Sequence, residues 1–227
     1  MIRLVTLALL TATPAFAAEM SFPVGSFDRV SLGGSPEVSV TTGKAVSVRA
    51  TGEQRALDRL DIRVEGGELK IGSKRGNLGV SWGDWGKVRI AVTVPMVRGV
   101  EIGGSGSVSV DRVKVAAFSG DIGGSGSLRV ANLDTGSAAF EVAGSGNIDA
   151  AGRCSNADLS IAGSGQLRLA GLKCATLKAS IAGSGDIAAH ASGIAAVSIA
   201  GSGSAHIAGG AKCTVSKRGS GSVDCAG

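Results

Sequence analysis

The chain has 227 residues, of which 44% are hydrophobic but only 3% aromatic, with no tyrosine, 37 glycines and four cysteines. Its formal charge of +5 is spread over both halves, with no Lys/Arg run and no aromatic-basic interleaving, which excludes a nucleic-acid footprint. The length suffices for one or two domains with a real core, and glycine at this density excludes a mainly helical fold, since each costs about 1 kcal/mol in a helix.

Residues 1–17 read as a secretory signal. Arg3 supplies the positive start, Leu4 to Leu10 the apolar core, and Ala15-Phe16-Ala17 a small-residue cleavage site. The alternative is a buried N-terminal strand. The apolar run is too short to cross a membrane as a helix, and no other stretch approaches the roughly 18 apolar residues required. No cysteine stands at the cleavage site, so a lipid anchor is not indicated there.

From Phe22 to about Val100 the chain is β-like without a clean repeat. Val38-Ser-Val40, Val46-Ser-Val48, Ile62-Arg-Val64, Leu69-Lys-Ile71 and Val88-Arg-Ile-Ala-Val-Thr-Val94 alternate apolar and polar residues. Gln54 to Leu60 is the one stretch that suits a short helix. Leu32-Gly-Gly-Ser-Pro-Glu-Val38 is a degenerate copy of the motif that dominates the rest of the chain, with Pro36 where a glycine belongs. The first rung therefore starts early, and residues 18–101 form a β-rich capping region built on it. Gly76 to Gly86 reads as a loop. Its Trp82 and Trp85 either cover an open end of the core, the reading we favour, or offer a binding platform.

Residues 102–227 repeat a single theme. Ile102-Gly-Gly-Ser-Gly-Ser-Val108 recurs as Ile122 to Leu128, Val142 to Ile148, Ile161 to Leu167, Ile181 to Ile187, Ile199 to Ala205 and Lys217 to Val223. The central serines are Ser105, Ser125, Ser145, Ser164, Ser184, Ser202 and Ser220, spaced by 20, 20, 19, 20, 18 and 18 residues. Such regularity marks a stacked, quasi-one-dimensional protein. Odd offsets from each serine are apolar and even offsets polar or small, the period-two signature of strands. The serines therefore form an outward ladder, and the flanking glycines mark the place where each rung bends. The expected fold is all-β: a parallel β-solenoid with rungs of about 18–20 residues. At one outward offset Arg129, Asp149 and Arg168 should stack as a column of alternating charge.

The same pattern imitates several known site motifs without completing them. Gly104-Ser-Gly106 opens like a nucleotide-binding loop, but Ser109 stands at the third glycine and no helix follows. The calcium-roll pattern fails because Val108 and Leu128 occupy the aspartate position. His190 and His206 fall at even offsets on adjacent rungs and read as solvated surface, not a metal site. Asp121 and Glu141 lie on adjacent rungs above Glu101. They could serve acid/base chemistry, but a solvated ladder face is the reading favoured. No catalytic, metal or cofactor site is expected.

The four cysteines suit bridging, not metal binding. Cys154 and Cys174 each stand ten residues before their serines, at one position on adjacent rungs. Cys213 and Cys225 point inward from opposite walls of the last rung. The expected bridges are Cys154–Cys174 and Cys213–Cys225, chemically permitted after export. The alternative is four buried free thiols.

Four features in order, namely Phe27-Asp-Arg-Val-Ser-Leu32, Val38-Ser-Val40, Val92-Thr-Val-Pro-Met96 and the Gly-Ser-Gly ladder closing in Arg218-Gly-Ser-Gly-Ser-Val-Asp-Cys225, resemble one bacterial family. It is the family of the "putative auto-transporter adhesin, head GIN domain". The resemblance spans the mature chain and implies an exported β-solenoid; it brings no catalytic motif. The repeat runs to Gly227, so no membrane barrel follows and export would rest on the signal. The expected function is a non-enzymatic surface-interaction or adhesin-like role in the periplasm or at the cell surface. An envelope protein or polysaccharide is the expected partner. The alternatives are a carbohydrate-binding or carbohydrate-cleaving β-helix and a scaffold that self-assembles through its ends.

Overall fold

The computed structural model describes residues 18–74 and 88–225. The signal-like segment 1–17 and the loop Gly76–Gly86 with Trp82 and Trp85 lie outside the described residues.

The N-terminal third supplies β1 (Ala18–Phe22), β2 (Arg29–Gly34), β3 (Glu37–Thr42), β4 (Ser47–Gly52), α1 (Gln54–Leu57), β5 (Leu60–Glu65), β6 (Glu68–Ser73) and β7 (Arg89–Val94). The remainder is β8 (Gly99–Gly104), β9 (Ser107–Val110), β10 (Val113–Gly124), β11 (Ser127–Gly144), β12 (Asn147–Gly163), β13 (Gln166–Gly183), β14 (Asp186–Gly201), β15 (Ser204–Ala208), β16 (Lys212–Arg218) and β17 (Ser222–Cys225). All the described strands belong to one sheet, wound as a parallel β-solenoid.

β2 and β3 are already a rung. They pair in parallel with β8 and β9, Arg29 opposite Gly99 and Glu37 opposite Ser107. On their other side they pair in parallel with β6 and β7. The chain thus lays down its second layer below the first and only then climbs. Below that layer the winding stops: β5 runs antiparallel to β6, β4 antiparallel to β7, and β1 antiparallel to β4. The single turn of α1, within the stretch expected to be helical, buries Ala56 and Leu57 over this end of the core.

From β10 upward each full rung holds three paired runs. β11 meets β12 over Ser127 to Val130, Leu133 to Thr135 and Ser137 to Gly144. The Gly-Ser-Gly corner joins the long run of one rung to the first run of the next. Its two glycines have different reasons to be glycine. Gly124 sits at φ +133°, and a Cβ there would lie 2.5 Å from the Gly104 carbonyl oxygen. Gly126 is buried, and a Cβ there would lie 2.7 Å from Ile102 Cγ2, the core isoleucine one rung below. Between them the Ser125 N–H donates to the Gly104 carbonyl at 2.9 Å, and the Ser127 N–H donates to that of Gly106 at 3.0 Å. Each corner is therefore stitched to the one beneath it.

Inward columns fill the core. In one of them Val100, Gly120, Phe140, Leu159, Ala179 and Val197 stack in register. Phe140 fits because Gly120 beneath it has no side chain: a Cβ there would lie 2.9 Å from Phe140 Cδ1 and 2.6 Å from Leu128 Cδ2. Phe140 also meets Phe118, with ring centroids 6.0 Å apart, in the tilted geometry aromatic pairs favour. Val215 tops the same column but is 48% exposed, because β16 pairs only with β14 below it.

Both disulfides are formed. Cys154 and Cys174 are register neighbours with Cα atoms 4.5 Å apart. Cys213 and Cys225 bridge β16 to β17 at a Cα separation of 6.6 Å. None of the four cysteines is free.

Candidate interaction surface

Because the rungs stack in register, every outward position becomes a column, and the surface is a grid of columns. Ser105, Ser125, Ser145, Ser164, Ser184, Ser202 and Ser220 are all exposed, one above another along the corner. Beside the corner, on the long runs, Gly103, Gly123, Ala143, Ala162, Ala182 and Ala200 form a second column. The next column reads Glu101, Asp121, Glu141, Ser160, Ser180, Ser198 and Ser216. These two columns are thus acidic on the lower rungs and carry hydroxyl and methyl groups on the upper ones, up to Arg218 above Ala200; the neighbouring outward column of the same run holds the exposed Asp158–Lys178 pair.

The acidic segment has the electrostatics expected of like charges stacked at strand spacing. Partial burial pushes the Asp121 carboxyl above the ordinary aspartate range, and Glu141 and Glu101 on either side push it the same way; Arg29 and a hydrogen bond from Ser119 pull against them. Asp121 and Glu141, the pair weighed for acid/base work, do lie side by side. Among the described residues no group of three or more His, Cys, Asp or Glu side chains is arranged to hold a metal ion.

On the other side of the corner Arg129, Asp149 and Arg168 stack as one column, with Arg168 Nη1 3.5 Å from Asp149 Oδ2. Two rungs higher in this column His206 Nδ1 lies 2.9 Å from Asp224 Oδ2. His190 departs from the surface position expected of it. It is half-buried, its Nδ1 is buried without a hydrogen-bond partner, and Gly209 passes so close that a Cβ there would lie 2.5 Å from His190 Cε1. Gly209 is what covers it, at a bend where the rung is shorter: Lys173 pairs with His190 while Leu169 pairs with Ala189, so three residues are omitted. Parity counted from the serine carries through this shorter bend: Ala189 and Ala191 are buried, and His190 keeps an outward offset beside exposed Lys173.

One depression went unread in the sequence. An open groove of about 740 Å³ lies where the β5–β6 hairpin meets β2, lined by Ser31, Gly33, Asp61, Arg63, Lys70 and Lys74 among others. Its charges are internally paired: Arg63 with Asp61 and Glu65, Lys70 with Glu65 at 2.7 Å. Hydrogen bonds from Lys70 and Arg63 hold the Glu65 carboxyl at about 2. Lys74 Nζ donates to the Asp58 carbonyl at 2.9 Å. The groove is formed by segments some thirty residues apart, so no local motif announces it.

No helix among the described residues is long and apolar enough to cross a membrane. Trp82 and Trp85 lie outside those residues, so the binding-platform reading has no geometry here.

Solved structures share the fold. A "putative adhesin" from Bacteroides fragilis NCTC 9343 superposes with a TM-score of 0.84 at 20% identity, over 93% of this chain and 97% of that one. A "putative lipid binding protein" from Parabacteroides distasonis ATCC 8503 gives 0.74 at 23% identity, with 93% and 97% covered. A "putative adhesin" from Parabacteroides merdae ATCC 43184 gives 0.71 at 16% identity over the same shares. No protein of curated function matches the chain. The model of the family described as "Putative auto-transporter adhesin, head GIN domain" matches residues 26–211, most of the chain, and the protein belongs to that family.

Proposed function

We propose that the protein is an exported, non-enzymatic β-solenoid that acts by surface contact, in an adhesin-like or envelope-interaction role. The observation that carries this reading is the upper long face. There Ser160, Ser180 and Ser198 stack beside Ala162, Ala182 and Ala200, a grid of short side chains flanked on one side by the exposed Asp158–Lys178 pair and topped by Arg218. Short side chains lose little rotamer freedom when covered, so such a face contacts a large partner surface at low entropic cost. The family name, the two disulfides and the signal-like segment 1–17 support export. The partner is an envelope protein or polysaccharide.

The test is retention of the purified mature chain on immobilised envelope polysaccharide and on envelope protein extract. Binding is expected to one of them. It should fall at least tenfold when Ser180 and Ser198 are both replaced by arginine, with circular dichroism unchanged. Incubation with the same polysaccharide should release no reducing ends. Release that disappears in Asp121→Asn or Glu141→Gln would replace the contact reading with a carbohydrate-cleaving one.

A further inference from the structure

The two ends of the solenoid are finished differently. The lower end is sealed by antiparallel strands and α1. At the upper end β16 pairs with β14 and β17 with β15, each on one side only. Both strands therefore present a row of backbone N–H and C=O groups, in register, to whatever lies above. Such an edge is a template for a further strand. The core beneath it is half open, with Val215 48% exposed and Cys213, Val223 and Cys225 only partly buried.

One inward column breaks its own rule at this level. Ile102, Ile122, Val142, Ile161, Ile181 and Ile199 are all buried in it. The residue in register above Ile199 is Lys217, which is exposed. Lys212 and Arg218, at the two ends of β16, are exposed cations as well. The one acid of the last rung, Asp224, is engaged by His206 at 2.9 Å.

We propose that the last rung is a self-association surface blocked by Lys217, and that the occupant it excludes is a second copy of this chain meeting it tail to tail. A two-fold axis would bring the same edge against itself. Lys217 would then be trapped in an otherwise apolar column, facing a partner edge of the same sign. Burying an ammonium without a counter-charge is prohibitive. The bridge between Cys213 and Cys225 holds both free edges in one rung, so the edge persists instead of fraying. At the lower end the outermost strands differ in direction, β1 running with the winding and β5 against it, so that end does not match the upper edge along both walls as a second upper edge does; unblocking should give a closed dimer and no filament. This inference is independent of the contact face proposed above.

Sedimentation velocity on the full mature chain tests it. Wild type and Lys217→Arg should remain monomeric from micromolar to several hundred micromolar. Lys217→Ile, which completes the column, and Lys217→Val, the residue type the column holds at Val142, should both form a discrete dimer, at least tenfold tighter than wild type. Adding Val215→Lys to Lys217→Ile should return the monomer. A Lys217→Val protein with native circular dichroism that stays monomeric overturns the proposal. So does a wild type that associates by itself, or a ladder of species beyond the dimer.

Discussion

Neighbouring glycines in one motif answer to different physics. Gly123 points outward, and the nearest atom to a Cβ there is the Ile102 carbonyl oxygen at 4.0 Å. Later copies carry alanine at this position, as Ala143 and Ala162. Gly124 has a positive φ and a backbone oxygen 2.5 Å from where a Cβ would stand. Gly123→Ala should therefore leave stability within about 0.5 kcal/mol. Gly124→Ala should cost at least about 1–3 kcal/mol from backbone strain alone. Urea titration of the two variants gives the ranking, and equal midpoints would refute it. The same logic of stacking governs Phe140, which occupies the space Gly120 leaves. Phe140→Ala should cost about 3–5 kcal/mol, whereas Ser145→Ala, on the exposed corner ladder, should cost under about 0.5 kcal/mol.

At the scale of the strand, register turns a single acidic residue into a column. Asp121 is directly flanked by Glu101 and Glu141 in a parallel ladder. Its folded-state pKa is raised, so the native state holds the proton more tightly than the unfolded chain does. The sign follows: this group favours folding at low pH and disfavours it as pH rises through its titration. Asp121→Asn should raise stability at neutral pH by about 0.2–1 kcal/mol, the range for like charges opposed across strands. The gain should vanish below the ordinary aspartate range, where the wild-type carboxyl is neutral too. Thermal melts at neutral and strongly acidic pH check both halves, and a gain that persists in acid would rule out repulsion as its cause.

For the molecule as a whole, each layer of the solenoid rests on its neighbours, so an end is the place where stability can run out. The upper end has Lys217 in its core column and Val215 half-exposed, and it is stapled by Cys213–Cys225. Replacing both of these cysteines by serine should cost about 2–4 kcal/mol on the chain-entropy view. Hydrogen exchange should rise first in β16 and β17 and leave β11 and β12 protected. Replacing Cys154 and Cys174, which join the interior rungs β12 and β13, should leave the terminal rung's exchange unchanged. Uniform loss of protection in both variants would mean the solenoid melts as one unit.

The repeat was legible in the sequence because a stacked fold copies its local rules from rung to rung. Period two assigned Ile102, Ile122 and Ile161 inward and Ser105, Ser125 and Ser164 outward. Constant spacing by itself makes Cys154 and Cys174, and Arg129 and Asp149, neighbours. These are properties of one rung and its translation, and one rung is a short stretch of chain. Tertiary structure alone decided which layer lies on which. β6 and β7 alternate like any other strand pair, and nothing local says that they pass beneath β2 and β3 instead of above them. It alone matched Gly120 to Phe140, since volume is balanced between rungs and not within one. It half-buried His190 at its outward offset, because Gly209 of the next rung passes against the imidazole. Local alternation encodes which face is buried; which neighbour buries it is set by pairing and packing over distances the alternation does not record.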